Sequence, residues 1–183
     1  MLIRSDFPQK YRIQQTPELP GRAGQIKVFY YPGASQTAGH DGVLVKVWPE
    51  VEKPWIGCFA FGYKSSLAIS AISACPNPDD LCVIASGAGY TVRADSPLQW
   101  QQLPCFPIVE FLAIVERRLL VFGDFIKLIA YGQDGVKWIS PQLSSDGLKI
   151  VGVDGNHLQL TAWKAELRSE VAAYVDLETG SVF

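Results

Sequence analysis

Two stretches of this chain lie over one another without a gap. "LCVIASGAGYTVRADSPLQW" (81–100) matches "LLVFGDFIKLIAYGQDGVKW" (119–138), so that Leu81 and Leu119 are 38 residues apart, as are Trp100 and Trp138. A third copy reads "LQLTAWKAELRSEVAAYVDLETGSVF" (158–183), longer because "KAELRS" takes the place of a short turn. Each copy follows another apolar run and a turn, in "AISACPNPDD", "EFLAIVERR" and "KIVGVDGN". The unit is therefore strand, turn, strand, turn, strand, polar turn, aromatic, at a period near 40. A single sheet of this kind cannot bury both of its faces, so neighbouring units must stack on it.

The rest of the chain carries the same signal. Period-2 runs rich in Val, Ile, Phe and Tyr recur between Gly, Asn, Asp and Pro turns, as in "QIKVFYY", "GVLVKVW" and "WIGCFAFGY". The best helical stretches, "TAWKAELRSEVAAY" and "PIVEFLAIVERRL", also alternate at their ends. The fold class expected is all-β, with antiparallel meander units stacked in an open or small four-unit array; a two-sheet β-sandwich is the alternative. The organisation expected is a single domain over 1–183. It comprises a Pro-rich polar arm (1–24), an irregular first unit (25–63) and three repeat units (64–183). Trp100 and Trp138 are expected to be equivalent in space, each docked between neighbouring sheets.

The residues that close the units are Asp134, Gly135 and Trp138 in "YGQDGVKW", and Asp176, Thr179, Gly180 and Phe183 in "VDLETGSVF". "ADSPLQW" offers Asp95 and Trp100, with Pro97 in place of the glycine. This pattern resembles the blade repeat of β-propellers of the tryptophan-docking and WD-like kinds. The resemblance covers residues 67–183 and implies meander topology, with no particular activity.

Charge excludes some functions. A net charge of −2, with both signs interspersed, gives no basic patch for a phosphate backbone, so nucleic acid is not an expected partner. No apolar segment follows Arg4, and no window approaches the length of a membrane span, so a soluble cytoplasmic protein without membrane association is expected. The four cysteines, Cys58, Cys75, Cys82 and Cys105, are then read as buried reduced thiols. Cys75 and Cys82 flank "PNPDDL" and can face each other across a hairpin.

Candidate chemistry is sparse. "GASQTAGHDG" (33–42) places Ser35, His40 and Asp41 in one loop, but adjacent His and Asp lack the geometry of a triad, and a hairpin loop is the simpler reading. "DGNH" (154–157) has two-residue turn chemistry, which makes His157 the first residue of a strand. Glu116, Arg117, Arg118 and Asp124 are read as solvated cross-strand charges, and Asp79 and Asp80 as exposed turn residues. Only His40 and His157 are available to complete a metal set, so no metal and no cofactor is expected.

The remaining feature is aromatic. Phe29, Tyr30, Tyr31, Trp48 and Trp55 crowd the irregular first unit. The candidate binding surface is Tyr30, Tyr31, Trp48 and Trp55 with His40 and Asp41, because aromatic rings at a loop-rich rim bury large areas with few rotors to freeze. The function expected is a non-catalytic binding or assembly module with a protein partner, or a homodimer joined at a free sheet edge. The alternative is a propeller-type hydrolase acting on a carbohydrate or small ester through paired carboxylates such as Glu110 and Asp124.

Overall fold

The computed structural model describes residues 1–19 and 26–183, and residues 20–25 lie outside the description. Among the described residues sixteen strands form four sheets, and the one helical element is a three-residue 3-10 turn, Val115–Arg117. The first sheet holds β2 (Tyr11–Gln15), β3 (Lys27–Tyr31), β4 (Gly42–Pro49) and β5 (Trp55–Ala60) in the order β2-β4-β5-β3. The second holds β1 (Leu2–Arg4), β6 (Ala71–Ala74), β7 (Asp80–Ala85), β8 (Ala88–Arg93) and β9 (Trp100–Gln102) in chain order. The third is a meander of β10 (Glu110–Ile114), β11 (Leu119–Gly123), β12 (Leu128–Gly132) and β13 (Gly135–Ile139). The last is β14 (Leu148–Asp154), β15 (His157–Lys164) and β16 (Ser169–Asp176).

Three apolar layers hold the sheets together. The first joins Val43, Val45, Val47 and Phe59 of the first sheet to Leu81, Val83, Tyr90 and Val92 of the second. The next packs Cys82, Ile84 and Ile108 against Leu120, Phe122, Ile129 and Tyr131. The final layer sets Leu119, Val121, Leu128 and Ala130 against Leu158, Leu160, Ala162 and Val175. Among the described residues no core cluster joins the first sheet to the last, so the stack is open. The architecture is all-β in four small sheets, where the sandwich alternative required two.

The repeat holds at a different offset from the one the sequence suggests. Ala71 pairs with Ile84 where Glu110 pairs with Gly123, and Leu81 pairs with Val92 where Leu120 pairs with Tyr131. The Ala85–Ala88 hairpin corresponds to the turn closed by Asp124 N–H donating to the Lys127 carbonyl. All of these are 39 residues apart, against 38 in the gapless match. A one-residue slip moves every side chain of a strand to the other face. At 39, Leu81 and Val83 correspond to Leu120 and Phe122, and each pair faces the preceding sheet. At 38 they would correspond to Leu119 and Val121, which face the following sheet.

Trp100 and Trp138 are consequently not equivalent. Trp100 packs beside Tyr31 of the first sheet, ring centroids 5.7 Å apart, so it looks back along the stack. Trp138 looks forward, donating its indole N–H to the Leu177 carbonyl at 2.8 Å and lying under Gly180 of the last sheet.

The start of the chain is also used differently from expectation. Within residues 1–24, expected to be an arm, β1 pairs parallel with β6 and β2 pairs antiparallel with β4. In the first sheet β3 runs parallel to β5, so this unit departs from a meander. At the other end the chain folds back on β16. Val182 bridges Val175, and the Phe183 N–H donates to the Tyr174 carbonyl. Asp176 makes that reversal, its Oδ1 accepting from the N–H groups of Glu178 and Thr179.

Candidate functional site

The aromatic residues singled out in the first sheet separate by strand parity. Tyr31 is fully buried, stacked on Phe59 with centroids 4.7 Å apart, and its hydroxyl donates to the Pro97 carbonyl at 2.7 Å. Trp55 is buried too and donates its indole N–H to the Ala94 carbonyl at 2.8 Å. Both fasten the first sheet to the second. They leave the candidate surface because the parity of β3 and β5 points them at the neighbouring sheet.

Tyr30, His40 and Trp48 lie on the outer face of the first sheet. Tyr30 meets the His40 ring edge-on at 5.2 Å, and Trp48 carries Lys46 Nζ over its ring at 4.7 Å. Asp41 is exposed. His40 Nδ1 lies 3.0 Å from the main-chain carbonyl of Asp41, and Ser35 Oγ lies 3.4 Å from Thr37 Oγ1, so the loop assembles no triad. Its job is to cover Cys58, whose thiol donates to the His40 carbonyl at 3.1 Å.

The carboxylates proposed for hydrolysis have local partners. Asp124 is buried, and its Oδ1 accepts from the N–H groups of Ile126 and Lys127 at 2.8 Å each, shaping the β11–β12 turn. Glu110 Oε2 accepts from the Ile150 N–H at 3.2 Å and so ties the third sheet to the last, while burial raises its carboxyl above the usual range. Arg117 and Arg118 reach the flanking units rather than pairing across their own hairpin, donating to the carbonyls of Gly155 and Pro76. His157 opens β15, as the turn chemistry requires.

A polar cleft that no sequence motif marked opens between the second and third sheets. Two adjoining hollows of about 280 and 450 Å³ share Asp80, Arg93, Gln101 and Tyr131 as walls. Tyr131, reaching from the third sheet, accepts from Gln101 Nε2 at 3.0 Å and lies 3.5 Å from Thr91 Oγ1. Burial pushes its phenol up to about 12. Arg93 is held by Asp79 at 3.2 Å and Asp95 at 3.4 Å, and Asp79 also binds Lys10. Asp80 behaves differently from its neighbour. Burial raises its carboxyl, Arg93 opposes that rise, and no hydrogen bond to its carboxylate occurs among the described residues. The pair expected to be alike and exposed is split into one ion-paired and one half-buried acid.

All four cysteines are buried free thiols. Burial raises Cys58 to about 11 and Cys105 to about 12. Among the described residues no group of three or more His, Cys, Asp and Glu side chains is placed to hold a metal ion, and no helix is long and apolar enough to cross a membrane. Comparison with family models, curated proteins and solved structures gives no match to the chain.

Proposed function

We propose that the protein is a non-catalytic binding module that engages a protein partner, and first of all a second copy of itself, through the outer face of its last sheet. The observation that carries this reading is the uncovered end of the stack. In the second and third sheets the forward face is buried under the next sheet. In the last sheet that face meets solvent, with Trp163 36%, Tyr174 39% and Phe183 64% exposed. Phe183 stacks on Tyr174 at 6.2 Å and meets His157 at 4.6 Å, which gives the face an aromatic centre of the kind that anchors interfaces.

The edge route to self-association is less available, because the chain's own C-terminal residues already pair with β16. A face-to-face pairing about a two-fold axis along the strands would set β14 of one copy over β16 of the other. It would set Lys149 over Ala172 of the second copy, two residues along the strand from Glu170, and the pairing is isologous and self-limiting.

Light scattering at micromolar concentration is the test. A dimer that Trp163→Glu converts to a folded monomer agrees with the reading. A strict monomer at every concentration contradicts self-association, and Tyr174→Glu provides a second variant if Trp163→Glu does not fold.

A further inference from the structure

We infer that the cleft between the second and third sheets is a binding site for a neutral polyhydroxylated ligand, of monosaccharide to disaccharide size. Its joined hollows fall within the volume range of small-molecule sites. The inference is independent of the docking face, which lies at the far end of the stack.

The chemistry of the walls selects the ligand. Asp80 presents a half-buried carboxylate to which no donor among the described residues is hydrogen-bonded, so an occupant must bring O–H or N–H groups. A free anion is disfavoured, because Asp80 and Asp134 line the cleft and the Arg93 guanidinium there is already engaged by Asp79 and Asp95. A free cation is the competing occupant, because Asp79, Asp80 and Asp95 outnumber the Arg93 guanidinium among them. The wall also carries amide N–H donors, which a cation leaves unmatched and a neutral molecule rich in donors and acceptors engages.

The amides fit such a molecule. Gln101 uses one N–H on the Tyr131 hydroxyl, leaving its carbonyl oxygen and second N–H for an occupant. Asn77 Oδ1 accepts from the Asp79 N–H at 3.1 Å, leaving the Asn77 amide nitrogen free at the cleft wall. The Asp80 carboxylate and the Gln101 amide are planar groups that can each address a pair of adjacent hydroxyls. Tyr131 closes the floor of the cleft, its hydroxyl held by Gln101.

The experiment is a titration followed by 1H–15N correlation spectra of the whole chain. The probes are glucose, galactose, mannose, N-acetylglucosamine and maltose, with spermidine and inorganic phosphate as charged controls. The expected result is saturable shifts for at least one sugar, confined to amides around 77–80, 91–101 and 131–136, and affinity about tenfold weaker in Gln101→Ala, the effect of losing a hydrogen bond or two. Gln101 is exposed, so its truncation leaves the core intact. Three results overturn the inference. They are no saturation by any sugar at about 50 mM, well beyond millimolar dissociation constants, saturation by spermidine or phosphate alone, or sugar binding that Gln101→Ala does not weaken.

Discussion

Trp138 and Trp100 occupy matched places in the sequence and unmatched places in the stack, and truncating each makes the difference measurable. Trp138 is 7% exposed, lies under the positive-φ glycine Gly180, and gives its indole N–H to Leu177. Trp138→Ala removes a buried large aromatic, a change that costs about 3–5 kcal/mol. It also strands the Leu177 carbonyl. Trp138→Phe keeps most of the volume and loses the hydrogen bond, at about 1–2 kcal/mol. Trp100 is only partly buried and has no indole hydrogen bond among the described residues, so Trp100→Ala should cost roughly half as much, about 1.5–2.5 kcal/mol. With a urea m-value of about 2 kcal/mol per molar, the midpoint falls by about 1.5–2.5 M for Trp138→Ala and by about 1 M for Trp100→Ala. Equal midpoint shifts for the two alanine variants would refute the one-residue offset and the opposite orientations derived from it.

Three further outcomes follow from the same geometry. Asp80 has a raised carboxyl in the folded state, so ionising it costs stability; the cost is absent below the unfolded-state pKa near 3.8, builds as pH rises toward the folded value, and persists above it. Asp80→Asn should therefore unfold at a higher temperature than the parent at pH 7 and lose that advantage near pH 3.5, and a variant less stable at pH 7 would contradict this. Because the four thiols are buried and unpaired, with Cys58 and Cys105 raised by burial, reductant should leave the melting temperature unchanged. A thiol reagent at pH 7.5 should label the native protein far more slowly than the urea-unfolded chain, and fast native labelling would count against the packing. Gly180→Ala would place a Cβ about 2.8 Å from the Trp138 ring at a backbone φ of +74°, so it should destabilise by about 1–3 kcal/mol, and a neutral result would show that the C-terminal turn does not seat on that ring.

Much of the fold was legible because alternation and turn chemistry act locally. β4 shows the period-2 pattern in its burial, "DGNH" places His157 at the start of β15, and "KAELRS" does enlarge the turn between Lys164 and Ser169. The offset was not legible for a physical reason. β7 and β11 are buried on both faces, so their sequences are continuous apolar runs with no parity to read, and the coincidence of two tryptophans selected 38 over 39. β1 and β2 escaped because "LIR" and "YRIQQ" are short and largely exposed, and their strand state depends on partners far along the chain.

The cleft was invisible for a related reason. Asp80, Arg93 and Gln101 belong to the second sheet and Tyr131 to the third, and only the stacking brings them together. Tyr31 and Trp55 read as rim residues because their crowding is real, while the parity that buries them depends on which face the second sheet covers.

The most direct test of the stack is a methyl NOE spectrum of the protein labelled at Ile, Leu and Val methyl groups. Leu81 and Val83 should show cross-peaks to the first-sheet valines Val43, Val45 and Val47. Leu120 should see Ile84 of the second sheet and Ile108 of the segment that precedes β10, while Leu119 and Val121 see Leu158 and Leu160 of the last. Cross-peaks from Leu119 and Val121 to the second sheet, with Leu120 facing the last, would contradict the 39-residue correspondence and the order of faces that it sets.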